Sequence, residues 1–154
     1  MGRQSSAPAG LLHESDSTPG AKVHESLGVF NLLLVAVGGA LGGMGRLAVT
    51  NVFSRRLGAR FPWGTLAVNL SGALVAGWWA ARLGIPTTLE LSSAWLALVV
   101  GLLGGYTTVS SFSLQTLTLW QSGHPRRAVA NVLATCLAGL AMAALGWWLA
   151  GGGA

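Results

Sequence analysis

Four places in the chain hold residues whose types and spacing suit the handling of an ion. In residues 101–113, read Gly-Leu-Leu-Gly-Gly-Tyr-Thr-Thr-Val-Ser-Ser-Phe-Ser, glycines and adjacent threonines interrupt an apolar run that covers residues 94–120. Glycine weakens a helix interior by roughly 1 kcal/mol, and neighbouring β-branched residues crowd the preceding turn, so the pattern predicts a break between Gly104 and Thr107. Unwound backbone at membrane depth is tolerated only where protein buries it or where it lines a polar cavity, and there carbonyl oxygens can face an ion. Asn69 is the one strongly polar side chain of a different apolar run. Its amide offers two N–H donors of the kind an anion needs, and it serves equally well as a tie between helices. Arg46 stands near the end of the first apolar run, where it either reaches out to the headgroups as an anchor or turns inward and makes a vestibule electropositive. Asn131 and Thr135 lie four apart with Gly139 continuing the stripe, which makes a polar track or a set of packing contacts.

Composition says what kind of element must position these groups. The 154 residues are 52% hydrophobic and only 8% charged, with 23 glycines. A soluble domain carries about 25% charge, so the balance predicts an all-α membrane protein. Four apolar runs of spanning length, residues 29–50, 65–81, 94–120 and 128–149, supply four transmembrane helices. The third would measure about 40 Å if continuous, against a hydrocarbon core of about 30 Å, and a mid-membrane break absorbs the excess better than tilt. In the first, Gly38 and Gly42 recur with Arg46 every four residues, and Gly39 and Gly43 form a second small-residue pair on an adjacent face; both favour close helix packing. Beyond the expected break, Thr108, Phe112 and Thr116 share one face. Residues 1–27, which hold all but one of the acidic residues and no sustained periodicity, read as a disordered tail. Residues 28–150 form the membrane domain, and residues 151–154 a flexible end. The first span is expected to act as its own insertion signal.

The formal charge of +5 belongs to this topology and not to nucleic acid, because the basic residues sit between apolar runs without aromatic interleaving. Arg55, Arg56 and Arg60 follow the first run, and Arg126 and Arg127 precede the fourth. The positive-inside rule places those two loops in the cytoplasm and both termini outside. Cys136 stands alone, so no internal disulfide forms, and His13 and His24 are isolated in the tail.

Three motifs, in order and spacing, resemble those of the Fluc (CrcB) fluoride channels. The stretch Gly38-Gly39-Ala40-Leu41-Gly42-Gly43-Met44-Gly45-Arg46 is similar to that family's glycine-rich first helix ending in arginine. Phe61-Pro62-Trp63-Gly64-Thr65-Leu66-Ala67-Val68-Asn69 is similar to its Pro-x-Gly-Thr-Leu-x-Val-Asn signature, and residues 101–112 resemble its third-helix break. The likeness covers about residues 34–146. It implies a four-helix chain that assembles as an antiparallel, dual-topology dimer in the bacterial cell membrane. It further implies passive, selective export of fluoride through two pores, which lowers fluoride toxicity, and a structural sodium ion, not transported, at the dimer interface.

Carried onto this sequence, the resemblance assigns Asn69 to the pore as a donor to fluoride. Gly104 and Thr107 offer backbone carbonyls to sodium, Phe112 matches the second pore phenylalanine, Arg46 the vestibule arginine, and Thr135 a hydroxyl position of the fourth-helix polar track. The chemistry fits: fluoride is small and tightly hydrated, so its water must be replaced by donors such as Asn69 and the hydroxyls of Ser110 and Thr135, and by the positive ring edge of Phe112. Sodium prefers hard oxygen ligands. One departure stands out. The family pattern Thr-Thr-Phe-Ser-Thr-Phe reads Thr107-Thr108-Val109-Ser110-Ser111-Phe112 here, and Val109 has no aromatic edge. Either the chain forms a homodimer in which that pore position conducts poorly, or it works as a heterodimer with a paralogous subunit.

Other classes fit less well. A small four-span transporter of cations needs a membrane-embedded carboxylate, and none of the four runs contains Asp or Glu. A purely structural membrane protein would not need the Asn69 and 104–112 cluster, and no grouping of nucleophile, base and orienter supports an enzyme. If Asn69 lines an anion path, Asn69→Asp places a like charge there and abolishes fluoride conduction. Fluoride flux near the wild-type level in that variant would contradict the assignment.

Overall fold

The computed structural model describes residues 19–58, 60–85 and 92–151, and for residues 19–27 the backbone alone. Among the described residues the chain is helical throughout, with no strand. The first helix is Pro19–Leu57, the second Trp63–Leu83, the third Ser93–Gln121 with an interruption, and the fourth Pro125–Leu149. Each run predicted from hydropathy lies inside one of these helices. The first helix begins ahead of its apolar run, so residues 19–27, expected within a disordered tail, are helical. Pro19 suits a first helical turn, and Ala21, Lys22, Glu25 and Leu27 are good helix formers. Residues 1–18, also assigned to that tail, lie outside the described residues, as do residues 152–154 of the expected flexible end.

Three of these helices are long and apolar enough to cross a membrane: Gly28–Leu57, Ser93–Gln121 and Pro125–Leu149. The second, at 21 residues, is about 30 Å long, but Thr65, Asn69 and Ser71 dilute its hydropathy. Glycines at positive φ, a backbone region that other residues rarely adopt, follow the helix ends at Gly58, Gly84, Gly123 and Gly151.

Glycine contacts decide which helices pair. The first half of the third helix lies along the first: a Cβ on Gly38 would sit 2.6 Å from the Ala97 carbonyl oxygen, and one on Gly101 would sit 2.9 Å from that of Val35. Gly42 and Gly105 are closed in the same way, against Leu102 and Gly39. The second helix pairs with the fourth, where Gly77 meets the backbone of Ala143 and Gly146 that of Leu74. Of the two predicted stripes, Gly38 and Gly42 make the tight face, while Gly43 has open space around its Cα.

Two wide π-helical segments, Leu96–Leu103 and Ala134–Ala138, interrupt the regular period. At the first, the Gly104 N–H reaches back five residues to Val99.

The molecule has little apolar interior. Among the described residues only Val68, Leu103 and Ala128 are buried hydrophobics, whereas Leu32, Leu33, Leu41, Leu137, Leu140 and Trp148 face outward. An apolar exterior over a glycine-packed interior belongs in lipid, where lipid tails replace water at the surface. Because the contact at Gly146 is to backbone, Gly146→Val is expected to destabilise the fold by about 1–3 kcal/mol, read as a lower unfolding temperature in detergent. Gly28→Ala, with nothing within 4 Å of the added methyl and a better helix former in the first helix, should not lower that temperature.

Candidate functional site

The third helix parts at Thr107 and Thr108, at the end of the predicted 104–107 segment and not at its start: Gly104–Tyr106 is still helical. Thr107 has ψ 159° and Thr108 has φ −150° and ψ 121°, so two extended residues separate the halves. The reason lies on the second helix. The Thr108 N–H donates to Asn69 Oδ1 at 2.9 Å, and Asn69 Nδ2 donates to the Thr108 carbonyl at 3.1 Å. A side-chain amide has the donor and acceptor of a peptide group, so Asn69 completes the backbone hydrogen bonding that the helix gives up. Both partners are backbone groups of fixed polarity, which also fixes the orientation of the amide.

The remaining bonds tidy the two helix ends. The Thr107 N–H and Oγ1 both donate to the Leu103 carbonyl at 2.9 Å. Thr108 Oγ1 accepts the Ser111 N–H at 3.2 Å and caps the second half, and Thr108 itself is buried. A continuous helix would give the Thr108 N–H to the Gly104 carbonyl. With that N–H turned to Asn69, the Gly104 carbonyl is released from helical bonding at an exposed position.

A cavity of about 420 Å³ opens beside the break, lined by Asn69, Gly104, Thr107, Thr108, Val109 and Thr135 together with small residues that include Gly72 and Gly139. Five of the eight site residues singled out in the sequence therefore meet at one place: Asn69, Gly104, Thr107, Val109 and Thr135. Val109 is 77% exposed and presents an isopropyl group there. Asn69 Nδ2 carries two hydrogens, of which Thr108 takes one. The cavity lining thus brings together a side-chain amide, the hydroxyl-bearing Thr135 and the backbone of the break. Hydroxyl and amide hydrogens suit an anion, and carbonyls suit a hard cation.

Ser110, Phe112 and Arg46 lie outside that lining. Ser110 is exposed, with its hydroxyl 3.2 Å from Thr108 Oγ1. Phe112 is half-buried one turn further along, and Arg46 is half-buried on the first helix. Asn131, left open between a polar track and packing, is 1% exposed and donates to Thr116 Oγ1 at 2.8 Å, while Thr116 Oγ1 donates to the Phe112 carbonyl at 2.7 Å. It fastens the fourth helix to the third.

Residues 33–147 match the family model described as CrcB-like protein, Camphor Resistance (CrcB). The chain belongs to the CrcB family. It is 43% identical over 122 residues to a protein named fluoride-specific ion channel FluC 2 of Bradyrhizobium diazoefficiens, covering 79% of this chain and 89% of that one. Over 108 residues it is 46% identical to fluoride-specific ion channel FluC 3 of Brucella suis, covering 68% and 80%. Over 112 residues it is 45% identical to fluoride-specific ion channel FluC of Rhodospirillum rubrum, covering 70% and 87%. The CrcB family is one of ion channels, not of enzymes, and this chain is a multi-pass membrane protein.

The roles of Thr108, Ser71 and Tyr106 escaped the sequence. Ser71 Oγ and the Tyr106 hydroxyl lie 2.9 Å apart across two helices, and a contact of this range leaves no mark in local spacing. Thr108 carried one usable signal, as a threonine three residues ahead of Ser111 at the start of a helix. Because Asn131 is buried and its partner is Thr116, Thr116→Val is expected to destabilise the protein by about 1 kcal/mol, measured by thermal unfolding in detergent. Thr118→Val, which removes an exposed hydroxyl bonded within its own helix, should be silent.

Proposed function

We propose that this chain forms a fluoride-selective channel that passively exports fluoride across the bacterial cell membrane and so lowers its toxicity. The observation that carries the reading is the cavity at the third-helix break, where Asn69 and Thr135 line one wall with Thr107, Thr108 and small or apolar residues. The names of the relatives support fluoride as the permeant ion. Fluoride keeps its hydration shell more tightly than larger halides do, so donors in a narrow apolar setting select it only by replacing that shell. Ser110 and the ring edge of Phe112 extend the donor path along the second half of the third helix, and Arg46 raises the anion concentration at its mouth.

All four helices span the bilayer in this reading, and two chains associate antiparallel in a dual-topology dimer. The outward apolar residues of the first and fourth helices are compatible with lipid and with a second copy. A sodium ion is the structural cofactor. The released Gly104 carbonyl, with that of Thr107, is of the right hard-oxygen type, and a twofold axis through the break would double the ligand set. Sodium would supply a fixed positive charge that ties two chains together, and the chain's part is to hold the carbonyls ready.

Val109 favours a second reading, a heterodimer with a paralogous subunit. It stands exposed on the cavity wall with no polar or aromatic group, so a partner could supply the missing ring edge. Liposomes reconstituted with this chain alone and loaded with fluoride or chloride separate the alternatives, with efflux followed by ion-selective electrode. Fluoride efflux without chloride efflux is expected for the homodimer, and Val109→Phe should then raise the rate. Folded protein that passes fluoride only after Val109→Phe supports the heterodimer, no fluoride efflux from either form contradicts the homodimer, and no efflux even with a paralogous subunit co-reconstituted contradicts the channel.

A further inference from the structure

The break is tied to the second helix at two points, and only one of them is Asn69. Tyr106, the last residue before the break, has its hydroxyl 2.9 Å from Ser71 Oγ. Ser71 Oγ lies 2.7 Å from the Ala67 carbonyl and 3.2 Å from that of Val68, so its single hydrogen is committed to its own helix. The Tyr106 hydroxyl therefore donates, and Ser71 accepts. The two ties are in antiparallel register. Moving two residues along the second helix, from Asn69 to Ser71, moves two residues back along the third, from Thr108 to Tyr106.

The ring of Tyr106 is a wedge as well as a carrier of the hydroxyl. A Cβ on Gly45 of the first helix would sit 3.5 Å from its Cδ2, and one on Gly72 of the second would sit 3.4 Å from its Cδ1. The ring thus lies in a slot where three helices meet, at van der Waals distance from where a methyl on either glycine would sit. A residue seated in that slot and latched at its tip determines where the first half of the third helix stops relative to the second.

We propose that Tyr106 is a positioning residue. Its hydrogen bond to Ser71 sets the register in which Asn69 meets Thr108, and thereby directs both the released Gly104 carbonyl and the remaining Asn69 N–H. The consequence for ions rests on the channel reading above, whereas the latch itself does not.

The test uses the full-length protein in detergent as wild type, Tyr106→Phe, Ser71→Ala, the double variant and Ser71→Thr, which keeps an acceptor. Backbone amide hydrogen exchange is followed by mass spectrometry in peptides covering residues 106–112, with peptides from residues 139–149 as an internal control. Exchange at the break is expected to rise about three- to tenfold in each of the first two variants, a factor appropriate to one lost hydrogen bond. The double variant should exchange no faster than either single one, Ser71→Thr should match wild type, and the control peptides should not change. Fluoride efflux from liposomes should fall in the same order. Unchanged exchange at the break in Tyr106→Phe, or additive effects in the double variant, would overturn the proposal. Faster exchange in both the break and control peptides would also overturn it, since that is general loosening. Wild-type protein without fluoride efflux would remove the homodimeric channel reading and leave the exchange data to decide the latch.

Discussion

The paired hydrogen bond between the Asn69 amide and the backbone of Thr108 is the constraint on which the site depends. A helix cannot end inside an apolar layer unless its free N–H and C=O groups find partners, because each unsatisfied group there is worth several kcal/mol. Asn69 meets that demand for one donor and one acceptor at once. The cap from Thr108 Oγ1 to Ser111 starts the second half, and the double bond from Thr107 to Leu103 closes the first. The Gly104 carbonyl is among those that the break leaves without a helical donor. The break therefore leaves carbonyl oxygens without helical donors beside the cavity that Asn69, Gly104 and Thr107 line.

The glycines make this arrangement possible. Gly38, Gly42, Gly101 and Gly105 bring the first helix against the third so closely that no side chain fits between them, and Gly77 with Gly146 does the same for the second and fourth. With backbones in near contact, a short side chain such as Asn69 can span from one helix to the backbone of the next. A bulkier interface would hold the break beyond its reach. Packing and site geometry are thus one problem, solved by small residues in a membrane where helix association has no hydrophobic drive of its own.

The helices were legible in the sequence because hydropathy and length suffice to find apolar runs, and the tight face of the first helix was legible in its four-residue glycine spacing. The break was legible as an event but not in its position. Local propensity marks Gly104 and Gly105 as weak, yet they remain helical, and the chain opens at Thr107 and Thr108, where a residue 39 positions away in sequence provides the substitute bonds. The same holds for Asn131, whose polar character was visible but whose commitment to Thr116 depends on how the third and fourth helices cross. The start of the first helix at Pro19 was missed because apolar periodicity stops at the membrane boundary while helix-forming residues continue past it.

An experimental structure of the protein in lipid nanodiscs, with sodium and fluoride present, tests most directly the claim that Asn69 holds the break and leaves a carbonyl for an ion. The expected result has the Asn69 amide within hydrogen-bonding distance of both the N–H and the carbonyl of Thr108, and a cation in contact with the Gly104 carbonyl. A third helix that runs unbroken through Thr108, or an Asn69 turned away from it, would contradict the account.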